Sequence, residues 1–250
     1  MIKAKIFDFN GVVVDDEPIH FAMFRKVLAG EGIALSQMDY YRYYLGMNDR
    51  DCFAAVLKKD GRNPAAKLVN VLIRRKARFY RAYIARHLIF FPGVRGFLRR
   101  AARKYPLAIA SGALRSEIDY ILRKGKLEAC FSAIVAAEDV RNGKPHPEGF
   151  QKALRLLNRN LSLRLWPNEC LVVEDSLEGI RAAKKAGMRC LALASSHPPS
   201  QLKRADWVVK SYQEIRGHVP IALQSLHVPV FHYSPTMRKN SPASEKFSKR

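Results

Sequence analysis

The chain has 250 residues, 48% of them hydrophobic, enough to bury a globular core in one domain or two small ones. No apolar run approaches the roughly 18 residues that span a bilayer, no basic-apolar leader is read at the start, and Cys52, Cys130, Cys170 and Cys190 form neither a C-x-x-C pair nor a metal spacing, so a soluble, cytoplasmic protein is expected. The net charge of +22, from 44 Lys+Arg against 22 Asp+Glu, admits nucleic acid as a partner, but the cations gather over 62–86, 95–126 and 238–250 without resembling a nucleic-acid-binding module, so solvated helix faces and a basic tail are the expected account.

Residues 3–9, Lys-Ala-Lys-Ile-Phe-Asp-Phe, predict a buried strand, and further strands are predicted over 106–110, 133–136, 170–173, 189–193 and 207–209. Each run is short, apolar and unalternated, as in strands covered on both faces. Helices are predicted over 114–124, 147–158 and 177–186, the last closing at Gly187. Strands alternating with helices imply an α/β fold with a Rossmann-like, doubly wound parallel sheet. Between residues 16 and 87 the pattern is helical only, with apolar positions such as Leu68, Leu72, Phe79 and Tyr83. The expected organisation is a discontinuous core, 1–15 and 88–220, with an inserted all-helical module, 16–87, and a disordered basic tail, 229–250.

Asp8 follows the apolar pair Ile6-Phe7 where a strand stops, and it opens the run Asp8-Phe9-Asn10-Gly11. Alone, it reads as well as a turn-capping Asp. Three further motifs follow in order: Ser111-Gly112, Lys144-Pro145-His146-Pro147 and Glu174-Asp175-Ser176. Phosphoryl transfer asks for an oxygen nucleophile, a cation beside the non-bridging oxygens and donors that hold them. Asp8 is the candidate nucleophile. Ser111, with the backbone N–H groups of Gly112 and Ala113 at a helix start, can cradle phosphate oxygens. Lys144, in a loop stiffened by two prolines, can neutralise nucleophile and phosphate. Asp8 and Asp175 are oxygen ligands suited to Mg²⁺, with Glu174 tuning or joining the site. The Glu174-Asp175-Ser176 run also suits the N-terminus of a helix.

With the four motifs in view, residues 1 to about 215 resemble the haloacid dehalogenase superfamily, within it the phosphatases and mutases similar to beta-phosphoglucomutase and phosphoglycolate phosphatase. The resemblance implies that the helical module is a cap over a cleft. It also implies Mg²⁺ held by Asp8, Asp175 and the backbone carbonyl of Asn10, with Glu174 nearby, and an aspartyl phosphate on Asp8. A small phosphorylated, sugar-phosphate-like substrate follows from the same source. So does a cleft-reaching loop, Leu45-Gly46-Met47-Asn48-Asp49-Arg50, in which Gly46 and Arg50 are substrate-binding candidates and Arg50, slightly displaced from the family's position, would meet a distal phosphate.

Asn10 departs from that family, whose members usually place a second Asp there as general acid/base. An amide orients groups by hydrogen bonds but carries no proton at neutral pH, and losing a general acid/base lowers a rate by about 10²–10⁴. Three outcomes stay open: a slow or specialised phosphatase, one that borrows a proton carrier from Asp15, Asp16, Glu17 or His20, or a protein that binds a phosphorylated ligand without turnover. A mutase is the alternative enzyme. None of Lys26, Lys58, Lys59, Lys67 and Lys76 has the context of a Schiff-base lysine. The sequence does not indicate an oligomeric state.

Overall fold

The computed structural model describes residues 1–215. Six strands, β1 (Ala4–Phe7), β2 (Leu107–Ala110), β3 (Ala133–Val135), β4 (Cys170–Glu174), β5 (Arg189–Leu193) and β6 (Trp207–Val209), form one sheet in the order β3-β2-β1-β4-β5-β6. Every pairing is parallel. Because side chains alternate across a strand, Phe7, Ile109 and Val173 face one layer, where Leu98, Ile118 and Ile121 cover them. Ile6, Ala108 and Val172 face the other, under Phe150, Leu157 and Ile180. With both faces buried, the runs carry no polar alternation, which is why they read as continuous apolar stretches.

The helices that provide this cover are α5 (Val94–Ala102) and α6 (Arg115–Gly125) on one side, and α7 (Glu148–Leu161) and α8 (Leu177–Lys185) on the other. The chain moves outward from β1 to β2 and β3, then returns to β4 on the other flank, so the order of connection reverses at β1. Such a reversal opens a crevice at the carboxyl ends of the strands. Register brings Phe7 opposite Ile109 and Val173, and thus carries Asp8, Ser111 and Asp175 out at one edge of the sheet. Past β6, the Tyr212 hydroxyl donates to the carbonyl of Val12 at 2.8 Å and ties the loop after β1 to the far end of the described chain.

Between β1 and α5 lies the inserted helical cap: α1 (Glu17–Ala29), the single turn α2 (Gln37–Asp39) leading into a π-turn at Tyr40–Tyr44, α3 (Asp49–Lys59) and α4 (Ala66–Ile84). It has a core of its own, including Phe24, Leu28, Phe53, Leu57 and Leu72. Ser36 and Asn48 start their helices by accepting from the backbone N–H of Asp39 at 3.0 Å and Asp51 at 2.9 Å.

The buried stripe of α4 is Val69, Leu72, Lys76, Tyr80 and Ile84; of the apolar positions expected, Leu72 belongs to it, Leu68 and Phe79 pack partly buried against the cap core, and Tyr83 is exposed. Lys76 takes its place in the stripe because it finds charged partners inside, and these compensate the burial of its ammonium. Among the described residues no helix is long and apolar enough to cross a membrane. The tail expected over 229–250 lies outside the described residues.

Candidate active site

Asp8 sits just past β1, its backbone N–H donating to Val173 at 2.9 Å, so the strand pairing itself places the carboxylate. The Lys144 ammonium, from the loop before α7, lies 2.8 Å from Asp8 Oδ1 and also pairs with Glu174 Oε1. The other oxygen of Glu174 accepts from the N–H of Asp175, the N–H of Ser176 and the hydroxyl of Ser176, each at 2.9 Å. Ser176 in turn accepts from Gly179 N at 3.0 Å and starts α8, so the helix-capping and site-building roles of this run coexist.

Asp8 and Glu174 thus share one ammonium, with the buried Asp175 beside them, and their titration reflects it. Burial pushes Asp8 up to about 6, with Lys144 opposing and Glu174 adding to the rise. Burial, Glu174 and Asp8 together raise Asp175 well above the usual carboxylate range. Glu174 is also pushed upward by burial, yet Lys144 and the two amide donors hold it below its ordinary value. One oxygen from each of Asp8, Glu174 and Asp175 lies within 4.8 Å of the others. This all-oxygen donor set, with excess negative charge, fits a hard divalent cation such as Mg²⁺.

The loop after β1 passes close against this cluster. Gly11 has φ of +69°, and a Cβ there would stand 2.0 Å from Asp175 Oδ2, so only glycine serves. The hydroxyl of Ser196 donates to the same Asp175 oxygen. Across the crevice, Ser111 lines the cavity, and its Oγ accepts from Ala113 N at 3.2 Å at the approach to α6. The cap loop lies directly on these core loops. A Cβ on Gly46 would be 3.0 Å from that of Ser176, and one on Gly112 would be 3.1 Å from that of Asn48.

Asp8, Asn10, Ser111, Gly112, Ala113, Lys144, Asp175 and Gly46 therefore surround one cavity. Arg50 does not join them. It is exposed on the first turn of α3 and points no charge into the cavity lining, because the turn Gly46-Met47-Asn48 presents Asn48 and Asp49 instead.

Asn10 belongs to a buried polar network whose other members are spread along the chain. Its amide donates to Asp16 Oδ2 at 2.7 Å and lies 3.0 Å from His20 Nε2. Asp16 Oδ2 also accepts from the Tyr80 hydroxyl. Lys76, 0% exposed, pairs with Asp49 and reaches His20 Nδ1 at 2.8 Å. An ammonium donating to Nδ1 leaves the ring proton on Nε2, 3.3 Å from Asp16 Oδ2, where the Asn10 amide converges as a second donor. The sequence reading considered Lys76 only as a Schiff-base candidate and did not single out Tyr80 or Glu117. For Lys76 and Tyr80 a signal existed: they stand four and eight residues after Leu72, on the buried stripe.

Residues 5–193 match the haloacid dehalogenase-like hydrolase family, and the chain belongs to it. Within that family it is a phosphoric monoester hydrolase. It is 31% identical to the phosphorylated carbohydrates phosphatase of Thermotoga maritima over 192 residues, 75% of this chain and 82% of that protein. CbbY from Rhodobacter sphaeroides, in a crystal structure with phosphate, superposes with a TM-score of 0.75 at 26% identity over 86% of this chain and 96% of its own. A mutant of that CbbY has been crystallised with xylulose-(1,5)bisphosphate. The fold also matches beta-phosphoglucomutase from Clostridium difficile, with a TM-score of 0.75 at 24% identity over 86% of this chain and 96% of the other.

Proposed function

We propose that this enzyme is a Mg²⁺-dependent phosphatase of small phosphorylated carbohydrates that works through an aspartyl phosphate on Asp8. The observation that carries this is the Lys144 ammonium held between Asp8 and Glu174, with Asp175 beside them, facing Ser111 across the cavity. The substrate class is supported by the Thermotoga maritima relative, named for phosphorylated carbohydrates, and by the sugar bisphosphate bound to CbbY. In this reading the cap comprises residues 16–87 and the core 1–15 and 88–220. Four free cysteines suit a reducing compartment such as the cytoplasm.

Asp8, Asp175 and the carbonyl of Asn10 would hold the ion, with Glu174 fixing Lys144 beside them. When bound, Mg²⁺ would neutralise non-bridging phosphate oxygens. Ser111 Oγ and the N–H of Gly112 hold the remaining oxygens and set phosphorus in line with Asp8. An oxygen of Asp8 forms a bond to phosphorus as the ester P–O bond breaks. The leaving oxygen takes the Nε2 proton of His20, which lines the cavity next to Asn10 and is oriented by Asp16, while the Lys76 ammonium passes a proton to Nδ1 and the imidazole stays neutral. Water then attacks phosphorus, the bond to Asp8 breaks, a water proton returns to His20 Nε2, and Nδ1 gives its proton back to Lys76. Asn10 positions this exchange without entering it.

A panel of phosphate esters with Mg²⁺, run on the wild type and Asp8→Asn, tests the assignment. Turnover that vanishes in Asp8→Asn is expected, whereas turnover that survives the substitution removes Asp8 as nucleophile. His20→Gln separates the proton carrier. Its loss should be about 10²-fold or more for alkyl phosphates and much smaller for p-nitrophenyl phosphate or acetyl phosphate, whose leaving groups need little protonation. An equal loss on both kinds of ester would assign the proton to another group.

A further inference from the structure

From Gly61 to Ser116 the chain holds no Asp or Glu and 14 Lys or Arg, 11 of them arginine. The fold gathers much of this charge on one side. Arg81 on α4 donates to Ser116 Oγ, at the start of α6, at 3.1 Å. At the far end of the same two helices Arg86 and Lys124, joined by Arg95 of α5, rim a shallow depression. Arg99, one turn beyond Arg95, donates to the carbonyl of Gly125, beside Lys124, at 3.4 Å. Two cation runs that are separate along the chain, 62–86 and 95–126, therefore meet in one strip.

Elsewhere surface cations find carboxylates: Arg75 pairs with Glu31, Arg115 with Asp139 and Lys184 with Asp206. Among the described residues, no carboxylate pairs with Arg86, Arg95, Arg99 or Lys124, all of them exposed, and their neighbour Arg123 reaches Glu128 only at 3.8 Å. Like charges gathered without counter-charge raise the local potential and attract a polyanion. The floor of the depression is apolar, built from Leu88, Ile89 and Phe90, with Ile89 55% exposed. Next to it, at the end of α4, Tyr83 meets His87 with ring centroids 4.8 Å apart, and both residues are exposed.

We propose that this strip binds single-stranded nucleic acid, with phosphates on Arg86, Arg95 and Lys124 and an unpaired base on the rings of Tyr83 and His87. Arginine forks match phosphate oxygens two at a time, and an exposed ring face takes any base. A duplex keeps its bases stacked on one another and leaves the two rings without a partner. A bilayer is met by apolar side chains that project from a surface, whereas Leu88 and Phe90 lie half-buried in a depression. A second copy of the chain would set like charge against like. None of these residues lines the cavity that holds Asp8, so the strip stands independently of the phosphatase reading.

The test is the fluorescence anisotropy of a labelled single strand of about 12 thymidines, titrated with the full-length protein at about 0.15 M salt. The variant Arg86→Glu/Arg95→Glu/Lys124→Glu reverses the strip. Arg155→Glu/Arg159→Glu/Lys185→Glu makes the same change in net charge at exposed positions of α7 and α8, across the sheet. The strip variant should bind about tenfold or more weakly and the control variant by about threefold or less. The basic run 238–250 is present in both and cancels in the comparison. Tyr83→Ala should weaken the single strand by about fivefold or more and leave a duplex of equal length unaffected. Thermal melts report whether each variant folds, and the corresponding Gln substitutions replace any reversal that does not. Equal losses in the two triple variants overturn the inference, because net charge alone then accounts for binding. So do a duplex held as tightly as the single strand, and displacement of the strand by poly-glutamate or by phosphatidylserine vesicles at equal charge.

Discussion

The side-chain amide of Asn10 donates to the carboxylate of Asp16 at 2.7 Å. Relative to the family's usual arrangement, the acid at residue 10 has become an amide, and a buried carboxylate stands six residues later in direct contact with it. Restoring Asp at residue 10 therefore does not simply restore an acid. In Asn10→Asp two carboxylates face each other at that distance and must share a proton or repel. Kinetics should show no gain in kcat/KM, and thermal melts at pH 8 should show a loss of about 1–3 kcal/mol, the penalty for a buried polar group stripped of its partner. The exchange variant Asn10→Asp/Asp16→Asn regains a donor–acceptor pair and should recover most of that loss. A rise of tenfold or more in kcat/KM for Asn10→Asp alone, about 1.4 kcal/mol of barrier, would refute the His20 route.

Lys144→Met removes the cation shared by Asp8 and Glu174. Breaking a buried ion pair from one side costs about 3–5 kcal/mol, and the loss should appear in denaturant unfolding at pH 7.5. Turnover should fall to background. Added Mg²⁺ should then raise the Tm of the variant more than that of the wild type, since the ion takes over the counter-charge that Lys144 supplied to Asp8 and Glu174. Equal Mg²⁺ shifts in both proteins would show that Lys144 and the metal act on different groups.

Burial raises Glu117 from 4.5 to about 7, with Lys76 and His20 lowering it and Asp49 raising it. The folded protein holds this proton more tightly than the unfolded chain does. Ionising Glu117 therefore costs stability, a cost absent below its unfolded value and complete above about pH 7. Glu117→Gln should stabilise the protein at pH 8 by about 2–3 kcal/mol and leave it nearly unchanged at pH 4.5. Melting curves at the two pH values decide the matter, and a pH-independent difference would mean that packing, not charge, is responsible.

Gly11→Ala asks an L-residue to take φ of +69° and sets a methyl group on Asp175. The left-handed backbone alone costs about 1–2 kcal/mol. Moving Asp175 should also weaken metal binding, so the Mg²⁺-induced rise in Tm should shrink along with the Tm itself. A variant with normal Mg²⁺ response would show that Asp175 has room to retreat.

Much of the framework was legible from local pattern. The six strands are short apolar runs, and the spans expected for them match those observed at β5 and β6 and differ elsewhere by at most two residues at an end. Asp8, Ser111 and Asp175 could be read as neighbours because each follows a strand, and a parallel sheet delivers strand ends to one edge. The network around Asn10 was not legible in that way. Lys76 meets Asp49 27 residues before it and His20 56 residues before it, contacts set by how three cap helices pack rather than by spacing along one of them. Periodicity counts apolar residues, so a buried lysine drops out of the stripe it belongs to, and of the positions expected on α4 Leu72 is fully buried, Leu68 and Phe79 partly so, and Tyr83 exposed. Arg50 shows the converse. A positive charge in a suggestive loop drew attention, while the turn at Gly46 presents its neighbour Asp49 to the cavity instead.

The bond from Tyr212 to Val12 spans a sequence separation of 200 residues. During synthesis the aspartate emerges about 200 residues ahead of the latch that steadies its loop. A fragment stopping short of Tyr212 should therefore carry every motif of the site yet hold its first loop loosely.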